Sequence, residues 1–231
     1  MLSAASADDL SIIINRGDTF TEVYMSSSAE VLFATFDVDP SIVPMRDNLV
    51  DYTDFASGTW AIGDTLLTGA KLRIDQQVVQ PEAMSFMLHP SAETLSFETP
   101  LDGLISIGVC NAFTSDQSYQ LSDLTGYVGY YIDHGSMDST FDLALTQPLT
   151  RDLNLTVFDY GAATHTRTTL RFSSGATLSV ALDPPQQTTR LRSIVPYALA
   201  LLIAAKLLHG LFARTRAQKH CPARTIGLSL P

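Results

Sequence analysis

Between Leu10 and Leu182 short apolar runs alternate with clusters of Gly, Pro, Asp and Ser, and the runs are rich in Val, Ile, Thr, Phe and Tyr. This is the pattern of β-strands punctuated by turns. It predicts strands at Leu10–Asn15, Thr19–Met25, Val31–Val38, Lys71–Gln80, Ala83–Leu88 and Thr94–Glu98. Six more are predicted at Gly103–Cys110, Gly126–Ile132, Thr140–Thr146, Asn154–Asp159, Thr166–Ser173 and Thr177–Leu182. Several alternate cleanly. Leu170 and Phe172 point to one side while Arg171 points to the other, and Leu155 and Val157 repeat the motif. Up to Leu182 no segment holds an apolar period of 3.6 residues for more than two turns. The predicted fold is therefore all-β, with about twelve short strands arranged as a β-sandwich or jelly roll. The least regular stretch, Asp39–Leu67, reads as a long loop or a pair of short edge strands. Trp60, the only tryptophan, is expected to pin that stretch to the core.

The pattern changes after Leu182. Residues 183–193 begin Asp183-Pro184-Pro185 and continue as a polar run without a period, which predicts a linker. From Ile194 to Phe212 runs IVPYALALLIAAKLLHGLF, interrupted by only Lys206 and His209 as ionisable residues. At about 1.5 Å per residue such a run just crosses a hydrocarbon core of about 30 Å. The predicted anchor spans 194–213, with Ile194, Tyr197, Leu201, Leu202, Ile203, Leu207, Leu208, Leu211 and Phe212 as its lipid-facing and interfacial residues. Arg190 and Arg192 flank one end, and Arg214, Arg216 and Lys219 flank the other, opening a basic tail at 214–231. The energetics are marginal. Apolar residues at about −0.3 to −0.6 kcal/mol each offset Lys206 at up to about +3 kcal/mol, which snorkelling reduces. An interfacial amphipathic helix and a helix buried against protein are the competing readings.

Charge divides at the same place. The chain has 14 basic and 24 acidic residues and a net charge of −10, but every acidic residue lies at or before Asp183. Residues 1–189 carry 7 basic and 24 acidic side chains, a balance of −17, and residues 190–231 carry +7. So acidic a body excludes nucleic acid as a partner, because phosphate contacts need clustered Lys and Arg. Asp outnumbers Glu 19 to 5, as expected where carboxylates initiate turns. With two cysteines, Cys110 and Cys221, neither a disulfide scaffold nor a Cys-based zinc site is expected. The basic flanks favour a cytoplasmic C-terminus. The opening MLSAASADDLSIII has neither a basic nor an apolar signal region, which favours a tail anchor with the body on the cytosolic side. The two rules conflict, and tail-anchoring is the working expectation.

Candidate chemistry is sparse. Arg16-Gly17-Asp18 falls between two predicted strands and resembles the integrin-binding tripeptide of adhesion ligands, the alternative being an ordinary glycine turn. Asp37 with Asp39, Asp47 with Asp51 and Asp54, and Asp133 with Asp138 bring carboxylates close enough to consider calcium, although none fits a twelve-residue calcium loop. His89, His134, His165, His209 and His220 form no metal-binding spacing. Asp133-His134-Gly135-Ser136 holds the right residue types for a triad, but a triad assembles in space rather than by adjacency. Tyr127, Tyr130 and Tyr131 offer a stacking surface for a partner, or core and cross-strand packing. Asn154 heads a formal glycosylation acceptor inside a predicted strand.

No cofactor is expected. The expected function is a non-enzymatic, membrane-anchored β module, structural or protein-binding, with a virion or envelope component as one version. Its partners would be the bilayer through the C-terminal helix and a protein, or a second copy, through the body. An adhesion ligand using Arg16-Gly17-Asp18 and a hydrolase with a scattered polar site are the alternatives.

Overall fold

A computed structural model describes residues 8–93, 95–108, 119–134, 140–161 and 165–183. All belong to the first of two units, Met1–Gln186 and Gln187–Pro231. Among the described residues no helix is long and apolar enough to cross a membrane. The predicted span, its basic flanks, His209, His220 and both cysteines lie outside them.

The body is mostly β. Its strands are β1 (Asp8–Arg16), β2 (Phe20–Ser28), β3 (Met45–Arg46), β4 (Leu49–Val50), β5 (Ala70–Ile74) and β6 (Gln77–Val78). They continue with β7 (Glu82–Pro90), β8 (Leu124–Asp133), β9 (Phe141–Leu145), β10 (Leu153–Tyr160), β11 (His165–Phe172) and β12 (Ser179–Leu182). Four short helices interrupt them: α1 (Ala29–Thr35), α2 (Tyr52–Phe55), α3 (Thr59–Leu66) and α4 (Pro100–Gly108). A six-stranded sheet runs in the order β11-β10-β1-β2-β8-β7, a four-stranded sheet in the order β12-β9-β5-β6, and β3 pairs only with β4. Every pairing is antiparallel except β1 with β10, which run parallel in register from Asp8↔Leu153 to Asn15↔Tyr160.

The central strands of the six-stranded sheet are buried on both faces, whereas its edge strand β11 is largely exposed. One face carries Leu10, Ile12, Ile14, Val23, Val128 and Leu155, which share a core with Leu72, Phe141 and Leu143 of the second sheet and with α1, α2 and α3. The other face carries Ile13, Tyr24, Met87, Tyr127 and Phe158, packed under Ile107 of α4. That is why Ile12, Ile13 and Ile14 are all buried, whereas a sheet with one wet face alternates.

At two places expected to be strands the chain is helical. Val31–Val38 lies largely in α1, which starts where the Ser28 hydroxyl accepts the Val31 amide and buries Val31, Leu32 and Phe33 together. Gly103–Cys110 lies in α4 as far as Gly108. There the Thr99 hydroxyl accepts the Asp102 amide, and the Asp102 carboxylate accepts the Thr99 amide. This reciprocal cap, with Pro100 in the first turn, outweighs the strand preference of the isoleucines. The predicted strand at Thr94–Glu98 is not formed by its described residues, where the Glu98 amide instead donates to Asp102. In the Asp39–Leu67 stretch the short pair β3–β4 is joined by α2 and α3.

Two glycines let α4 approach the sheet. A Cβ on Gly103 would lie 2.5 Å from the Tyr24 ring, and one on Gly129 would lie 2.5 Å from Cδ1 of Ile107. Gly108, on the same helix, has open space. Gly103→Ala is therefore expected to cost about 1–3 kcal/mol by overpacking, while Gly108→Ala leaves stability within about 1 kcal/mol. Chemical denaturation of the two variants of the full chain checks this contrast.

Candidate functional site

A groove of about 860 Å³ lies between α3, the β5–β6 hairpin and the connection leading into β7. Helix α3 is seated through Ile62, Gly63 and Leu66. A Cβ on Gly63 would stand 3.1 Å from the Ala83 methyl, and the buried Tyr130 hydroxyl donates to the Gly63 carbonyl at 3.0 Å. Burial pushes the Tyr130 phenol far above its ordinary pKa, so it stays a donor. With that face buried, Trp60 and Asp64, one turn apart, point into the groove. Trp60 is 59% exposed, which corrects its assignment as a core pin.

The opposite wall is the β5–β6 hairpin. Its two turn residues, Asp75 and Gln76, both have positive φ, 50° and 67°, the geometry of a tight two-residue turn. The Asp75 carboxylate accepts the Thr140 amide at 2.8 Å, tying the tip to the loop entering β9. In this hairpin Ile74 faces Gln77 and Arg73 faces Val78, and the Val79 amide donates to Leu72. Antiparallel alternation therefore points the N–H and C=O of Val78 away from β5, along the open edge of the four-stranded sheet. The Val78 side chain is 68% exposed. Thr68, Lys71, Gln80 and Glu82 complete the polar lining. Asp64, Lys71 and Glu82 have no ion pair or side-chain hydrogen bond among the described residues.

The residues singled out from sequence fall elsewhere. Arg16-Gly17-Asp18 does form the β1–β2 turn, with the Gly17 amide donating to the Phe20 carbonyl. However, Arg16 is buried and makes a bidentate pair with Asp159 at 2.8 and 2.9 Å, while Asp18 is exposed. The cation and carboxylate are not presented together. Tyr127 and Tyr130 belong to the two opposite cores, and Tyr131 is half-buried and stacks on Phe20 at 5.6 Å. The turn aspartates act locally. Asp39 accepts the Ser41 amide, and Asp51 accepts the Thr53 amide and pairs with Arg46. Among the described residues no group of three His, Cys, Asp or Glu could hold a metal ion. His134 contacts the Thr21 hydroxyl at 2.6 Å, and Gly135, Ser136 and Asp138 lie outside the described residues. Asn154 donates to the Asp9 carboxylate. No protein-family model and no curated protein matches this sequence.

His89 is the one fully buried histidine of the described body. It sits under α4, donates through Nε2 to the Ser106 carbonyl at 2.8 Å and faces the edge of Tyr127. Its Nδ1 is buried without a hydrogen-bond partner among the described residues. Desolvation lowers the His89 pKa, and the bond to Ser106 only partly opposes this.

Two measurements follow from these contacts. Removing one member of the buried pair leaves an uncompensated charge, so Arg16→Ala is expected to cost about 3–5 kcal/mol in denaturant unfolding. Arg16→Met combined with Asp159→Leu should recover most of that loss. For His89 the unfolded chain takes up a proton near pH 6.5 while the folded chain resists it. The stabilisation is therefore complete above about pH 6.5 and is lost as pH falls through the lower folded value. Thermal unfolding of His89→Gln should show a shallower decline between pH 7 and 5 than the parent chain.

Proposed function

We propose that this chain is a membrane-tethered, non-enzymatic binding module, in which a β-sandwich body presents the α3–β6 groove to a protein partner. The observation that carries the reading is the groove. It combines an exposed Trp60, an exposed Val78, an open strand edge and carboxylates that have no ion pair among the described residues. Exposed apolar and aromatic groups gathered in a concave site are the general mark of a recognition surface. The tether rests on the apolar run at 194–212 and its basic flanks. The adhesion reading draws no support from the tripeptide, because Arg16 is engaged by Asp159.

The working topology puts the body on the cytosolic side and the basic tail across the membrane. With tags at both ends, protease treatment of intact membranes should remove the N-terminal tag and spare the C-terminal one. The full chain should stay in the membrane after alkaline extraction, and Leu202→Glu with Ile203→Glu should release it. Release of the parent chain by alkali would end the tether proposal, and loss of the C-terminal tag alone would reverse the topology.

A further inference from the structure

We propose that the groove takes an extended polypeptide segment bearing lysine or arginine, which adds along the open edge of β6 and lays one cationic side chain on Trp60. This assignment deepens the binding-module reading and rests on it. Three features of the groove select the occupant.

The first is the strand edge. Val78 directs an amide N–H and a carbonyl outward, and an added strand satisfies both while its side chains alternate into and away from the groove. Edge strands left this open are templates for another chain. Neither group offers selectivity among sequences, so the side-chain preference must come from the lining.

The lining supplies that preference. Asp64 and Glu82 are two exposed carboxylates without ion pairs among the described residues, set against the single cation Lys71, and the lining has a net charge of −1. A neutral ligand that covered Asp64 and Glu82 would desolvate both without compensation, which is costly. An ammonium or guanidinium pairs them and also meets the negative face of the Trp60 ring. The field of the body acts in the same sense, since residues 1–189 carry −17 and draw basic segments in. Lys71 disfavours a second cation next to the first, so the fitting segment has isolated basic residues among apolar ones.

Position provides the third feature. Trp60 and Asp64 stand one turn apart on a helix fixed through Gly63 and Tyr130, and the hairpin opposite is tied down through Asp75. Both walls are therefore set before a ligand arrives, which limits the ordering cost of binding.

Trp60 is the only tryptophan in the chain and so reports directly on its own groove. The full chain in neutral detergent is titrated with a blocked hexapeptide carrying one lysine among valine and threonine residues, following tryptophan emission. The same titration is run with glutamine in place of lysine, with glutamate in place of lysine, and with a linear glucan hexasaccharide. The lysine peptide is expected to change the emission saturably and to weaken with added salt. Asp64→Asn with Glu82→Gln should weaken it about tenfold, the combined loss of two exposed ion pairs. Val78→Pro, which removes the outward N–H without touching a ladder bond, should weaken it as well. Equal affinity for the lysine and glutamine peptides, or indifference to the carboxylate variants, overturns the cationic assignment. A response to the glucan alone overturns it in favour of a saccharide and leaves the binding-module reading standing. Silence from every probe overturns the inference and removes the groove from that reading too.

Discussion

Strand β1 lies between β2 and β10, and its two neighbours come from opposite ends of the described chain. The antiparallel neighbour follows after a short turn, whereas the parallel one begins at Leu153. This pairing joins the sheet's two halves, β2-β8-β7 on one side and β10-β11 on the other. The Arg16–Asp159 pair fixes its register. Both side chains lie on the face of the main core, and a slip of one residue would turn Asp159 to the opposite face and leave Arg16 buried without its carboxylate. In this register Ile12 and Ile14 reach the shared core and Ile13 reaches the α4 side.

The elements around that sheet have divided roles. On the main face, α1, α2 and α3 sit beside the second sheet and complete the larger core. On the other face α4 stands alone among the described helices, over a smaller cluster, at the close approach that Gly103 and Gly129 permit. Its outward side exposes Leu101, Leu104 and Ile105. The acidic side chains serve this framework in part. Asp39, Asp51 and Asp102 cap helical turns, Asp75 and Asp152 accept amides at hairpin or loop junctions, and Asp159 neutralises Arg16. Among the described residues Asp64 and Glu82 have no such local partner, a state they share with other exposed carboxylates such as Asp18, Asp37 and Asp47.

Most strands were legible because their cue is local. Runs such as those around Ile12–Ile14, Tyr127–Ile132 and Leu155–Phe158 combine β-branched or aromatic residues with turn residues at their ends. The helices α1 and α4 were not legible from periodicity, since seven and nine residues hold barely two turns of pattern. Their caps were the available signal. Ser28 followed by Glu30, and Thr99-Pro100-Leu101-Asp102, both mark helix starts. The groove was hidden for another reason. Trp60, Val78 and Glu82 are ordinary by type, and their exposure follows from which face of α3 meets β7 and which edge of β6 stays open. Those facts belong to tertiary contacts, as does the parallel partner of β1, 145 residues away in register.

The order of strands also sets a schedule for biogenesis. As the chain is made, β1 and β2 form a local hairpin early, but the other edge of β1 stays unpaired until Leu153–Tyr160 has emerged. During that interval a run of three isoleucines borders an open edge, the arrangement most prone to pairing with the wrong strand. Non-local pairing of this kind also slows folding. The sheet therefore closes only after β10 has emerged, and until then β1 keeps one of its edges open.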